Sequence, residues 1–462
     1  MHRLFQSTNI ASLVFFRIVF GILAFADILA AFVYKHLYVG AFSPEGFQFR
    51  YYGFEWVQPF PEPFMSLFFL VGLAAAVGIT IGWRYRLCCT IYALAFSYTF
   101  LMEKGFYLNH GYLFCVLSFM MIFLPVHHHL SVDVVQGRVP ASKQVPVWPL
   151  FLLRFSMGVV YFFGGIAKIN ADWLNGMPLK LWLKAKADMP VLGWLWGQEW
   201  VAYFMSYGGL LLDLFVTFFL LSKRTRLWAL FFVLFFHSTN LIIFKIGIFP
   251  FLSVALTLLF FEPDFPLRTI AWLEKRLPFI GKIKDWWASK EPTTVLDTLP
   301  SPSRNRQILI GTAIGVYCLI HCLLPLRHHY FKGDVAWTEE GHRYAWRMML
   351  RSKRGYGSFR LEDRKTGATF IENPGDYLRP RQKRKLYTHP DMILQFAHFL
   401  RDKYKAEKQM DVIVKADIKV RLNGGPYQRY ISDSTDLAHV EWSFLEEADW
   451  IVPEKKKGRG EK

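Results

Sequence analysis

The chain has 462 residues, 53% of them hydrophobic and 18% aromatic, and its mean hydropathy is positive. Such a composition is too apolar for an ordinary soluble domain and points to a multi-span membrane protein. The net charge of +18 raises nucleic-acid binding, but the basic residues cluster beside apolar runs and no nucleic-acid-binding motif accompanies them, so that class is set aside.

In chain order, runs long enough to cross a bilayer fall at Ile10–Tyr34, Phe64–Ile81, Leu87–Met102, His110–Pro125, Val147–Ala167, Val201–Leu221, Leu227–Phe244, Ile246–Phe261 and Ile308–Leu324. They make nine spans, or eight if the closely spaced seventh and eighth are one. The first carries Arg17 and Asp27 and reads as a retained span, not a cleaved signal peptide. Arg84 and Arg86, Arg138 and Lys143, Lys223 to Arg226, and the basic residues from Arg268 to Lys290 share one side if the N-terminus is cytoplasmic. Nine spans then place residues 327–462 outside the cytoplasm; eight would place them inside. The segment Phe265–Trp287, which mixes Trp, Phe and Leu with Lys and Arg, reads either as a helix on an anionic membrane surface or as a solvated basic loop.

Beyond Arg327 the pattern changes. Ala345–Leu350, Gly357–Leu361 and Ala368–Ile371 read as short strands, and Pro390–Tyr404 as an amphipathic helix. Val412–Leu422 alternates as a half-buried strand, and Asn423-Gly424-Gly425-Pro426 turns the chain into Tyr427–Ile431. The fold class is therefore an α-helical polytopic membrane protein of about eight or nine transmembrane helices with a small C-terminal extracytoplasmic α+β domain. The expected divisions are 1–326, 327–454 and a basic tail, 455–462. All five cysteines lie in predicted spans, so neither a disulfide framework nor a zinc spacing is present. The run His127-His128-His129 cannot turn three adjacent rings to one ion without an irregular loop, and no metal is expected.

Polar residues within apolar surroundings carry the functional signal. Lys168 ends an otherwise apolar helix, where lost hydration disfavours its charged form and a neutral amine can act as a base. The alternative is a lysine that snorkels to the membrane interface. Arg17, Asp27, Arg154 and Asp213 lie inside spans and are expected to be structurally paired. Asn109 and His110, Lys168, His237 and Asn240, and the stretch Trp346-Arg347-Met348-Met349 all fall on the outer face of this topology.

Several stretches carry a resemblance: Ala11-Ser12-Leu13-Val14-Phe15-Phe16-Arg17, Asn109-His110-Gly111-Tyr112-Leu113, Ser131-Val132-Asp133 and Ala167-Lys168-Ile169-Asn170-Ala171-Asp172-Trp173. Gly208-Gly209-Leu210-Leu211-Leu212-Asp213-Leu214, Phe236-His237-Ser238-Thr239-Asn240, Tyr344-Ala345-Trp346-Arg347-Met348-Met349 and Asn373-Pro374-Gly375 continue it in order. Over nearly its whole length the chain resembles the vitamin K-dependent γ-glutamyl carboxylase family, whose membrane part is the HTTM domain. The resemblance implies that Lys168 is the base that deprotonates vitamin K hydroquinone. O₂ then converts the hydroquinone to its epoxide through a base strong enough to take a γ-proton from glutamate, and CO₂ adds to the carbanion. It implies a catalytic role for His110. Asn109, Phe249, Met348 and Met349 would contact the quinone, with His237, Asn240 and Trp346 in the same site.

No metal or nicotinamide is implied. The partners are membrane lipid, the quinone and a Glu-containing peptide or protein; nucleic acid is not among them. The animal members are longer, and their extension helps to bind a substrate propeptide. The family's disulfide between the first external loop and the C-terminal domain has no counterpart, because Phe399 stands at the matching position and Lys35–Glu62 has no cysteine. A short relative without these cysteines suggests a bacterial inner membrane with the C-terminal domain in the periplasm. Three readings stay open: a carboxylase, a hydroquinone epoxidase without protein carboxylation, and a non-catalytic membrane protein that binds lipid or quinone. The acceptor, the native quinone and the oligomeric state are not legible.

Overall fold

The computed structural model describes residues 2–455 apart from 245, 291 and 293. The expected basic tail lies, from residue 456 on, outside the described residues.

The apolar runs fold as helices where they were expected. Six are long and apolar enough to cross a membrane: Ala11–Tyr38, Phe64–Ile81, Trp148–Ala167, Glu199–Leu221, Arg226–Ile243 and Arg304–Tyr330. The other three runs are helical too, at Tyr85–Met102, Asn109–Phe123 and Phe249–Leu258. They fall short for different reasons. Tyr85–Met102 is diluted by Arg86 and by its Tyr, Ser and Thr residues, while the 15 and 10 residues of the other two cover about 22 and 15 Å against a hydrocarbon core of about 30 Å. The eight or nine expected spans are thus matched by helices, but only six meet the requirements of length and hydropathy.

Opposite ends of the bundle are tied differently. At one end β1 (Ser7–Asn9), β2 (Ala141–Pro146) and β3 (Val295–Thr298) form a small sheet, β1 antiparallel and β3 parallel to β2. Nearby, Asp133 accepts from the backbone N–H groups of Arg84 and Tyr85 at 2.8 and 2.9 Å. Arg17, 1% exposed, donates to the carbonyls of Val126, His129 and Leu130. Arg154 donates to those of Leu259 and Phe261. For both arginines the expected structural pairing is with backbone carbonyls, which satisfy the guanidinium N–H groups. The segment Phe265–Trp287 is helical, as Phe265–Glu274 and Pro278–Ala288, with Trp272, Phe279 and Trp286 exposed.

At the other end lies the C-terminal domain, an antiparallel sheet in the order β5-β4-β6-β7: β5 Thr369–Glu372, β4 Lys353–Asp363, β6 Val412–Leu422 and β7 Gln428–Arg429. On β6 the residues Val412, Val414, Ala416, Ile418 and Val420 are buried, as the alternation requires. The helix Pro390–Lys408 shares their core through Ile393, Phe396 and Leu400.

The domain is locked onto the membrane part. Asp391 pairs with Lys104 at 2.6 Å and with Arg343 at 2.7 Å. Glu103 accepts from Phe49 N–H and Gln382 Nε2. Phe399 packs on Phe47 of the first loop with ring centroids 4.8 Å apart. Apolar burial does the joining there.

One expected strand is absent. Ala345–Leu350 is irregular, with Tyr344, Trp346 and Met349 at φ of 64, 56 and 54°. Such left-handed backbone is costly for side chains with a Cβ and gathers at functional sites.

Candidate active site

A cavity of about 340 Å³ lies between the membrane helices and the C-terminal domain. Its position on Lys168 follows from local structure. The helix Trp148–Ala167 stops at Lys168, and Asn170 accepts from Trp173 N–H to start a new single turn, Ala171–Leu174. The chain therefore breaks direction just at the lysine, with Trp173 folded back over it. A Cβ on Gly165 would meet Leu214 N at 2.7 Å. Only glycine lets the helices Trp148–Ala167 and Glu199–Leu221 approach this closely.

That approach brings Lys168 to Asp213. The lysine is 5% and the aspartate 4% exposed. Lys168 Nζ donates to Asp213 Oδ2, lies 3.3 Å from the Gly164 carbonyl oxygen and stands 5.3 Å from the Trp173 ring centroid. Asp213 Oδ1 is buried with no hydrogen-bond partner. A snorkelling lysine keeps its amine in water, whereas Lys168 is buried against Asp213. The structural pairing expected for Asp213 is present, and its partner is the candidate base itself.

Eight of the nine sequence candidates line the cavity: Asn109, His110, Lys168, His237, Asn240, Phe249, Met348 and Met349. Trp346 does not; it is buried behind the wall against Tyr112, centroids 5.3 Å apart. Phe249 sits between two imidazoles, stacked on His110 at 5.6 Å and edge-on to His237 at 5.8 Å. His237 Nε2 is 3.1 Å from Tyr161 OH. Asn109 Nδ2 donates to the Arg347 carbonyl, and its Oδ1 accepts from Tyr107 OH, which itself accepts from Tyr344 N–H. The left-handed segment is thereby tied to the start of helix Asn109–Phe123, and its two methionines reach the cavity.

The remaining wall was not foreseen. Glu339, His342, Arg351, Lys353, Lys385 and His389 also line the cavity. Arg351 grips both oxygens of Glu339, and Lys353 Nζ is 3.3 Å from one of them. Burial alone would raise the Glu339 carboxyl, but Arg351 and Lys353 bring it down to about 2. Burial lowers Lys353 and Lys385 to about 8, and His342 to about 3. Glu339, His342 and His389 hold possible ligand atoms within 4.8 Å of one another. A metal cation fits poorly there, since the carboxylate is already engaged by two cations and a third, Lys385, stands in the same wall.

The missed signals differ in kind. Asp213 was visible as one of four in-span charges, expected to be paired but with no partner named. Nothing in the sequence pattern relates Glu339 to Lys385.

Residues 5–265 match the family model of the HTTM domain, and residues 306–457 match that of the vitamin K-dependent gamma-carboxylase, lumenal domain. No solved structure matches the chain.

Proposed function

The chain belongs to the vitamin K-dependent gamma-carboxylase family, with an HTTM domain and a lumenal domain, and on that basis we propose that it oxidises vitamin K hydroquinone at Lys168 and carboxylates glutamate in an acceptor. The observation that carries this reading is a buried lysine, paired with an aspartate, in the wall of a largely apolar cavity of about 340 Å³. That volume suits a small-molecule site. Phe249, Met348 and Met349 offer apolar contact to a quinone ring, and Asn109, His110, His237 and Asn240 supply the few polar groups that orient it.

When bound, reduced vitamin K supplies oxidation by O₂ to the epoxide and a base strong enough to remove a glutamate γ-proton for addition of CO₂. The protein's part is proton handling and exclusion of water. Lys168 Nζ accepts the hydroquinone proton only as a neutral amine, and Asp213 is placed to take the proton that makes it so. Burial of the pair keeps water from quenching a strong base. His110 and His237 hold the ring position through Phe249. We propose the divisions 1–326, 327–454 and 455–462 as working domains. We place the C-terminal domain outside the cytoplasm, in the periplasm for a bacterial inner membrane; the small sheet and that domain at opposite ends of the bundle support this.

The test follows epoxide and fixed label together in purified full-length protein given reduced vitamin K, O₂, labelled bicarbonate and a Glu-containing peptide. Both products are expected, and Lys168→Ala should abolish both. Epoxide without label across several peptides would leave the oxidation half-reaction alone. Neither product, from folded protein that binds the hydroquinone, would refute catalysis and leave a binding protein.

A further inference from the structure

Asp27 is an in-span carboxylate with no part in the site described above. The structural pairing expected for it is not formed: among the described residues it makes no ion pair or hydrogen bond. It faces instead a second, smaller cavity of about 60 Å³, which Lys35 also lines. This cavity lies between the first span and the helices Tyr85–Met102 and Asn109–Phe123, and it has room for a few water molecules. Leu108 and His110 line both this cavity and the main one. Of those two, only His110 can carry a proton.

The backbone of the first span aims both charges at the smaller cavity. It is an α-helix over Ala11–Ala30 and widens to a π-helix over Ala31–Tyr38. Residues eight apart in an α-helix point about 80° away from each other. The wider π turns, closed by i→i+5 bonds, offset that angle, and Asp27, Ala31 and Lys35 all line the cavity. Ala31 is buried and small, which leaves room between the two charged side chains. Lys35 stands at the end of the span nearest the C-terminal domain. Its amine is 5.4 Å from the Phe106 ring centroid, and Arg381 of that domain is 4.4 Å from the same ring. Tyr34 and Tyr38 beside it are exposed. An unpaired carboxylate in a span is costly, and such groups mark ion pathways and proton relays.

The reaction proposed above yields a proton that has to leave a site kept dry. In balance, reduced vitamin K and O₂ give the epoxide and water, with one oxygen atom in each. The glutamate C–H and CO₂ give a new carboxylate and H⁺. We propose that the smaller cavity is a proton relay for the main one, in which water carries protons from His110 to the carboxylate of Asp27 and out past Lys35. This rests on the carboxylase reading for the source of the proton, and on the two cavities and their shared histidine for the route.

Asp27→Asn and, separately, Ala31→Leu test the relay in full-length protein; the leucine fills the cavity and leaves both charges in place. Each is expected to lower kcat for epoxide formation at least tenfold, with KM for reduced vitamin K unchanged, and to raise the solvent deuterium isotope effect on kcat. Asp27→Glu, which keeps the carboxylate, should restore most of the rate. A merely structural role would reduce the amount of folded protein without moving the isotope effect. Folded variants with kcat or the isotope effect unchanged would overturn the proposal. A second measurement needs no turnover. Exchange of the His110 ring N–H with solvent is read by NMR of ¹⁵N-histidine-labelled protein without vitamin K, with His110→Gln to assign the signal. It is expected to slow at least tenfold in Ala31→Leu, and equal rates would overturn the relay. Slowed exchange in a protein whose wild type makes no epoxide would support the route and count against the carboxylase reading alone.

Discussion

Lys168 and Asp213 are each expensive to bury, and together they are tolerable. Removing one partner of a buried ion pair costs about 3–5 kcal/mol, because the other is left uncompensated. Asp213→Asn is expected to lower stability by about that amount in a thermal melt of the detergent-solubilised protein, and to reduce epoxide formation at least as much as it reduces folded protein. A melt unchanged from wild type would mean that the pair is not formed. The sequence marked Asp213 as an in-span charge and Lys168 as a lysine of functional promise at the end of an apolar helix. Their partnership was hidden because 45 residues of chain separate them, and three short helices, which no periodicity announces, intervene before Glu199–Leu221.

At the scale of elements, the site depends on two helices that touch through glycine. Gly165→Ala would drive a methyl into Leu214 N, and overpacking of this kind costs about 1–3 kcal/mol. The expected outcome is a modest loss of stability with a larger loss of epoxide formation, since separating the helices separates Lys168 from Asp213; a proportionate fall in both would contradict it. The helices were legible because an apolar run of this length has few alternatives in a membrane. The segment Ala345–Leu350 was not. Its residue types do not themselves favour a strand, Trp346 apart, and hydrogen bonds from Tyr344 N–H to Tyr107 and from Asn109 to the Arg347 carbonyl hold it irregular. Tertiary contacts, not local preference, set its path.

At the scale of the whole molecule, buried ion pairs lie within the C-terminal domain, and one of them, Asp391 with Lys104, joins it to the membrane part; together they predict a response to acid. Burial opposes ionisation of Glu339 and Asp391. Arg351 and Lys353 nevertheless bring Glu339 from 4.5 down to about 2, and Arg343 and Lys104 hold Asp391 below the ordinary carboxylate range. A carboxyl lowered by folding contributes its full stability above its unfolded value and loses it as the pH falls through the folded one. The melting temperature should therefore stay level from pH 7 to about 5 as far as these groups decide it, and drop between about 4.5 and 2. Glu339 alone accounts for about 3 kcal/mol of that loss at 1.36 kcal/mol per unit. Melts of wild type and Glu339→Gln across this range check it: the variant should show a shallower acid limb.

The sequence carries the membrane class, the places of the helices and the alternation of β6 as signals of composition, periodicity and residue type, which a chain holds locally. Its resemblance to a family added residues, eight of which line the cavity. What the chain leaves to its folded form is that Lys168 is buried and paired with Asp213, that Phe47 meets Phe399, and that Glu339, Arg351, Lys353 and Lys385 line one charged wall. Each of these is a contact between residues distant in the chain, and its energy depends on burial and mutual distance, which no single segment contains.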